Sequence, residues 1–164
     1  MCSSDLLYSV NGGAWQRIAA ALQTDANDLN AALVRASLPG QATGAVTQFY
    51  FELTDGAGRV SFCPAAGPDS RALVKTDDRQ SRAGIAHNLR IVMTANDYNF
   101  MLRDTNLMSN QKLKATVVYK ESETFFDCGI RLRGSPWGRP SSEAVGFTLF
   151  FPQDHKFQIG RAHV

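Results

Sequence analysis

The most regular alternation in the chain runs from Thr124 to Arg133. Phe126, Cys128, Ile130 and Leu132 fall on one side of an extended backbone, with Asp127, Gly129, Arg131 and Arg133 on the other. A second run, Thr47 to Thr54, places Thr47, Phe49, Phe51 and Leu53 opposite Gln48, Tyr50 and Glu52. Successive side chains of a strand point to opposite faces, so each run predicts a strand with one buried face. Lys112 to Tyr119 groups Leu113, Ala115, Val117 and Tyr119 and predicts the strand that precedes Thr124, with Glu121-Ser122 in the turn between them. Shorter strands are expected at Leu7–Val10, Trp15–Ala19, Arg59–Cys63, Leu89–Met93 and Gly146–Phe151. Asn11-Gly12-Gly13 separates the first two of these and predicts a hairpin, because a tight hairpin needs positive φ at residues that tolerate it.

Helical periodicity occurs once with a start signal. Thr94 can cap a helix from Ala95 to about Arg103, with Asp97 at the third helical position and Tyr98, Met101 and Leu102 forming an apolar stripe. Asn30 to Leu38 reads as a strand, although its alanines also permit a helix. Thr24 to Asn30 is polar and expected as a loop; its Asp25, Asn27 and Asp28 lack the glycine and terminal glutamate of an EF-hand loop. Gly67-Pro68-Asp69-Ser70 breaks regular structure, and Lys75 to Ser81 is almost wholly polar. The organisation expected is a first β segment over residues 7–74, a linker over 75–87, and a second segment over 88–158. The fold class is mainly β: an incomplete antiparallel β-sandwich followed by an α+β part.

Composition narrows the class further. The 164 residues are 44% apolar and 20% charged, ordinary values for a soluble globular protein. No window approaches the ~18 apolar residues of a spanning helix, so no membrane span is expected. With 17 basic against 15 acidic residues, a net charge of +2, there is no overall field to attract nucleic acid. Cys63 and Cys128 lack metal-binding spacing, which leaves a single bridge between them or two buried free thiols. His87 and His155 are isolated and make no metal pair.

The two ends mirror each other at the level of codons. With GTG as the start codon, Met1-Cys2-Ser3-Ser4-Asp5 can be written GTG TGC TCT TCC GAT, whose reverse complement, ATC GGA AGA GCA CAC, encodes Ile159-Gly160-Arg161-Ala162-His163. Residues 1–6 and 159–164 are therefore expected to be translated sequencing-library adapter and are set aside from the fold reading. Asp5 and Arg161 leave together, so the net charge is unaffected.

Two resemblances follow from local motifs. Leu38-Pro39-Gly40, Phe49-Tyr50-Phe51 and Thr54-Asp55-Gly56-Ala57-Gly58 resemble the closing half of an immunoglobulin or fibronectin type III-like module. That resemblance implies a spacer, or a glycan- or protein-binding role. Gly129-Ile130-Arg131-Leu132-Arg133-Gly134-Ser135 resembles the G-x-R-x-[RK]-G-[NS] signature near the start of the spore-coat protein H (CotH) kinase family. Leu89–Thr94 with its helix, Ala115–Tyr119, and Gly146–Phe151 resemble the strands that flank it there. This likeness covers roughly Asn88 to Gln158 and implies the N-terminal α+β part of an atypical kinase-like domain.

Membership implies an extracellular or cell-envelope protein of a bacterium that transfers phosphate from ATP, with Mg²⁺ or another divalent metal, to a protein substrate. Ser141-Ser142-Glu143-Ala144-Val145 stands where many members carry basic residues, and the family's catalytic and metal-binding acids lie beyond Gln158. No catalytic or metal-ligating residue is therefore assigned within this chain, and the piece alone is expected to be inactive.

The candidate nucleotide- or phosphate-binding residues are Arg131, Arg133, Gly134 and Ser135. Two arginines two apart on a strand share a face at ~6–7 Å, a spacing that suits a polyphosphate. Each guanidinium grips phosphate oxygens bidentately. The alternative is a solvated face on which these arginines pair with Asp127 or Glu121. Trp137 could cover a ligand or pack over the strand below. Ser135 lacks the G-x-S-x-G surroundings of a hydrolase nucleophile. The competing function class is a non-catalytic extracellular module in which the sandwich binds glycan or protein.

Overall fold

A computed structural model of the chain describes residues 3–24, 32–77, 79, 88–134 and 146–158. The chain divides into two compact units, Met1–Gln80 and Ser81–Val164, a break inside the stretch expected as linker. The structure is mainly β with antiparallel pairing throughout the described strands.

The first unit contains β1 (Ser3–Val10), β2 (Gln16–Ala19), β3 (Ala21–Thr24), β4 (Ala32–Arg35), β5 (Val46–Thr54), β6 (Val60–Cys63) and β7 (Leu73–Lys75). Its main sheet has the order β2-β1-β5-β6, and β7 also pairs with β5. β6 takes the Phe51–Thr54 stretch of β5 and β7 the Val46–Gln48 stretch, so the two share one edge in succession. A 3₁₀ turn at Gly67–Asp69 lies between them, and Gln48 Nε2 donates to the carbonyls of Pro68 (3.0 Å) and Ser70 (2.6 Å).

The Asn-Gly hairpin signal holds: Asn11 and Gly12 have φ of 51° and 75°, and the Asn11 side chain accepts from the backbone N–H of Val46 at 2.9 Å. Asn30–Leu38 resolves to a strand at its centre, β4, paired with β3. Part of the expected polar loop, with Asp25, Asn27 and Asp28, lies outside the described residues.

β1 starts four residues before the expected Leu7, since Ser3–Leu6 continue the pairing with β5 from Ser3 opposite Thr54. Ser4, Leu6 and Tyr8 share a face with Leu53, Phe51 and Phe49, and Leu6 is 2% exposed. The residues whose codons match the adapter thus carry an alternation of burial, Ser4 and Leu6 buried with Ser3 and Asp5 outside, in phase with Tyr8.

The second unit contains β8 (Leu89–Val92), α1 (Ala95–Met101), β9 (Leu113–Tyr119), β10 (Glu123–Arg133) and β11 (Gly146–Phe150), with the sheet order β11-β10-β9-β8. Thr94 caps α1 as expected: its Oγ1 accepts from the Asp97 N–H at 3.1 Å and its hydroxyl donates to the Asp97 carboxylate at 2.8 Å. The helix ends at Met101, before Arg103. Of the expected stripe Met101 is buried, Leu102 half-buried and Tyr98 exposed.

The principal correction concerns β10. The register runs from Phe125 opposite Val117 to Cys128 opposite Ala115, so three steps on β10 meet two on β9 and one residue is extra. Asp127 takes φ 55° inside this bulge. The alternation therefore changes phase: Phe125, not Phe126, joins Cys128, Ile130 and Leu132 in the buried set, and Phe125 is wholly buried. Val117, Phe125 and Cys128 form the core, with Ile91, Tyr119, Leu149, Phe151 and Phe157 packed against it. Phe151 and Phe157 stack at 4.7 Å, and Phe157 meets Tyr119 edge-on at 4.9 Å, so the chain after β11 folds back over the apolar face.

A left-handed φ costs a residue with a Cβ roughly 1 kcal/mol or more, least for Asp and Asn and most for β-branched side chains. The Lys114–Asp127 ion pair, 3.7 Å and partly exposed, offsets little of that. Asp127→Gly is expected to match or exceed the wild-type stability of this unit, whereas Asp127→Val should lower it by ~1–2 kcal/mol. Urea unfolding followed by circular dichroism measures both, and equal midpoints for the two variants would refute the bulge geometry.

Candidate functional site

Arg131 and Arg133 alternate with the buried Ile130 and Leu132, which sets both arginines on the face of the sheet away from the aromatic core. Gly129 pairs with Lys114 and Ile130 with Leu113, so Lys112, the residue just before β9, comes next in line beside Arg131. From the other side β11 sets Phe150 beside Gly129, Thr148 beside Arg131 and Gly146 beside Arg133. The face therefore carries Lys112, Lys114, Arg131 and Arg133, with Lys112 and Arg131 over one aromatic ring. Sequence reading named the two arginines and passed over Lys112; the available signal was the β9–β10 hairpin register, which the bulge shifts by one residue.

Gly129 makes the arrangement compact. A Cβ there would stand 3.3 Å from Phe150 Cβ and 3.5 Å from Lys112 Cδ, so its absence lets those two side chains close over the strand. Lys112 Nζ lies 3.9 Å from the centre of the Phe150 ring, and Arg131 Cζ lies 5.6 Å from it. Both cations face the negative π-cloud. Arg131 also donates to Asn110 Oδ1 at 3.2 Å.

The expected alternative partners are occupied elsewhere. Glu121 accepts both ends of the Arg90 guanidinium, at 3.1 and 2.6 Å, and Asp127 pairs with Lys114. Among the described residues no carboxylate pairs with Lys112, Arg131 or Arg133. Three positive charges on neighbouring positions repel one another, and an anion of two or more charges relieves that repulsion.

Gly134 follows with φ 117°, a backbone conformation that favours glycine, and no described residue stands within 4 Å of where its Cβ would be. Ser135, Trp137 and the Ser141–Val145 segment lie outside the described residues. Among the described residues no group of three or more His, Cys, Asp or Glu side chains gathers as metal ligands do. No described helix is long and apolar enough to cross a membrane.

The first unit carries a different surface. Arg17 bridges Asp5 (2.6 Å) and Glu52 (3.0 Å), and those hydrogen bonds raise its pKa. Tyr50 lies on the same face of the sheet, edge-on to Trp15 at 5.1 Å and to Phe62 at 5.6 Å, and burial raises the pKa of its hydroxyl. Trp15 and Phe62 remain about 40% and 38% exposed.

Both described cysteines are free thiols, but the expectation that both are buried fails for Cys63, which is exposed at the sheet edge. Burial pushes the Cys128 thiol up to about 11, with its sulfur 3.5 Å from the Phe125 carbonyl. Because the native state holds this proton after an unfolded thiol near pH 8.5–9 has lost it, stability falls as pH rises from about 9 to 11. At pH 8 iodoacetamide is expected to alkylate the exposed Cys63 at least ~10-fold faster than Cys128, which is buried and held as the unreactive thiol. Peptide mass spectrometry of a time course measures the ratio; comparable rates would contradict the core placement.

Compared with models of protein families, with curated proteins and with solved structures, the chain matches none.

Proposed function

We propose that residues 88–158 are the N-terminal, phosphate-binding part of a CotH-type atypical kinase, preceded over residues 7–74 by an incomplete immunoglobulin- or fibronectin type III-like sandwich. The parent is a secreted or cell-envelope bacterial protein that phosphorylates other proteins. The observation that carries this reading is the cation cluster of Lys112, Arg131 and Arg133, with which no carboxylate among the described residues pairs and two of which belong to the signature-like run Gly129–Ser135. When bound, ATP supplies the phosphoryl group and Mg²⁺ neutralises its developing charge. The part played by this chain is to hold and orient the phosphates, and the chain alone does not turn over.

Titration of the chain with a fluorescent ATP analogue and Mg²⁺ tests the reading. Saturable binding that weakens as salt is raised is expected, because exposed charges are screened over about 10 Å at 0.1 M. Absence of binding, or binding indifferent to replacement of both arginines, would overturn it.

A second reading rests on the first unit. The exposed rings of Trp15 and Phe62 offer negatively polarised faces to the C–H groups of a sugar, beside the hydrogen-bonding pair Arg17 and Glu52. In that case the chain is a non-catalytic surface module binding glycan or protein. Glycan retention lost in Trp15→Ala, with no nucleotide binding in the wild type, would favour it.

A further inference from the structure

We infer that Lys112 is a third phosphate-binding residue of the cationic face, and that this face takes a chain of two or more phosphoryl groups in preference to a single phosphate. The inference rests on the phosphate-binding reading above and deepens it. Its first support is register: Ile130 pairs with Leu113 at the end of β9, and Lys112, the residue just before that strand, comes next in line beside Arg131. Neighbouring strands run ~4.8 Å apart and alternate residues ~6.7 Å apart, so Lys112, Arg131 and Arg133 mark the corners of a small triangle.

A lone phosphate carries about −1.5 to −2 charges and so balances at most two of the three cations. A second linked phosphoryl group supplies the remaining negative charge. The three cations thus suit a diphosphate or triphosphate, the charged portion of a nucleotide or a free polyphosphate.

The second support is the state of Lys112 itself. Its ammonium group lies over the Phe150 ring at 3.9 Å, in a gap that Gly129 leaves open, with no carboxylate partner among the described residues. An exposed cation–π contact is weak beside a charge-assisted hydrogen bond to phosphate. Lysine is a flexible point charge with three donors, so it can leave the ring for a ligand without disturbing the sheet. Phe150 keeps the ammonium near Arg131 in the absence of ligand, which lowers the ordering cost of binding.

Isothermal titration of the whole chain with orthophosphate, tripolyphosphate and ATP tests this, using Lys112→Met, Lys112→Arg and the wild type. Lys112→Met is expected to weaken tripolyphosphate and ATP by about 10-fold, the loss of one charge-assisted hydrogen bond, and orthophosphate by less than about 3-fold. Lys112→Arg should stay within about 3-fold of the wild type for all three, because the charge is kept. Circular dichroism of Lys112→Met should be unchanged, since the side chain is exposed. Tripolyphosphate binding that is equal in the wild type and Lys112→Met would sink the role of Lys112 and leave the arginine site standing. Failure of the wild type to bind any of the three probes would sink the phosphate-binding reading itself.

Discussion

Phe125→Ala is expected to cost the second unit ~3–5 kcal/mol, while Phe126→Ala, one residue along, should cost no more than ~1.5 kcal/mol. Phe125 is wholly buried and lies at the centre of an aromatic cluster. Phe151 meets it edge-on at 5.0 Å, Phe157 at 5.7 Å, and the His155 ring lies 4.3 Å away. Truncation removes the apolar surface of the ring and leaves a cavity that β9 and the returning chain cannot both fill. It also detaches the 151–157 segment, whose two phenylalanines use this ring as their floor. Phe126 sits at the bulge and is only half-buried. Units of this size have a total stability of only several kcal/mol, so Phe125→Ala should be near its unfolding midpoint without denaturant. Urea unfolding with hydrogen exchange of the β9 amides measures both variants. The reverse order of cost would show that strict alternation through Thr124–Arg133 holds and that the bulge does not exist.

That pair of variants also marks where the sequence stops being legible. Period-two alternation places strands correctly at β5, β9 and β10, because a half-buried strand must segregate its side chains. Thr94 with Asp97 locates the start of α1, and Asn11-Gly12 locates a hairpin, because each solves a local backbone problem with its own side chains. A bulge has no such local mark here: Asp127 takes the left-handed conformation that glycine normally signals, and the neighbouring Gly129 does not. The phase of the buried face is decided by pairing with β9, a non-local fact.

The same shift governs the candidate site. Arg131 and Arg133 are legible as a pair because they are two residues apart on one strand. Lys112 joins them through the register between strands, which depends on the extra residue at the bulge. The assignment of Glu121 is likewise non-local. It lies in the β9–β10 turn, where Lys120 and Glu121 both take positive φ, and it meets Arg90 thirty-one residues earlier in sequence. A close pair of opposite charges in sequence is thus a poor guide to which ions meet across a sheet.

The cost of removing both arginines should be the largest effect on binding. Replacing Arg131 and Arg133 together by alanine is expected to weaken Mg²⁺–ATP by about 100-fold or more, from two charge-assisted hydrogen-bonding groups of ~1.5–3 kcal/mol each. Stability should change little. Arg133 is exposed, and Arg131 loses only a 3.2 Å bond to Asn110 and a distant contact with Phe150. The double replacement by lysine separates charge from geometry. Two ammonium groups keep the net charge but cannot form the paired, planar contacts of a guanidinium, so an intermediate affinity is expected. If lysine restores full affinity, the face acts as a diffuse positive field, and binding should then fall equally for every neighbouring cation removed. If alanine leaves the affinity unchanged, phosphate is held elsewhere and the likeness of Gly129–Ser135 to a kinase signature carries no chemistry. An intermediate lysine value with a large alanine loss assigns the phosphate grip to the two guanidinium groups themselves, on a strand that the bulge at Asp127 has turned to present them.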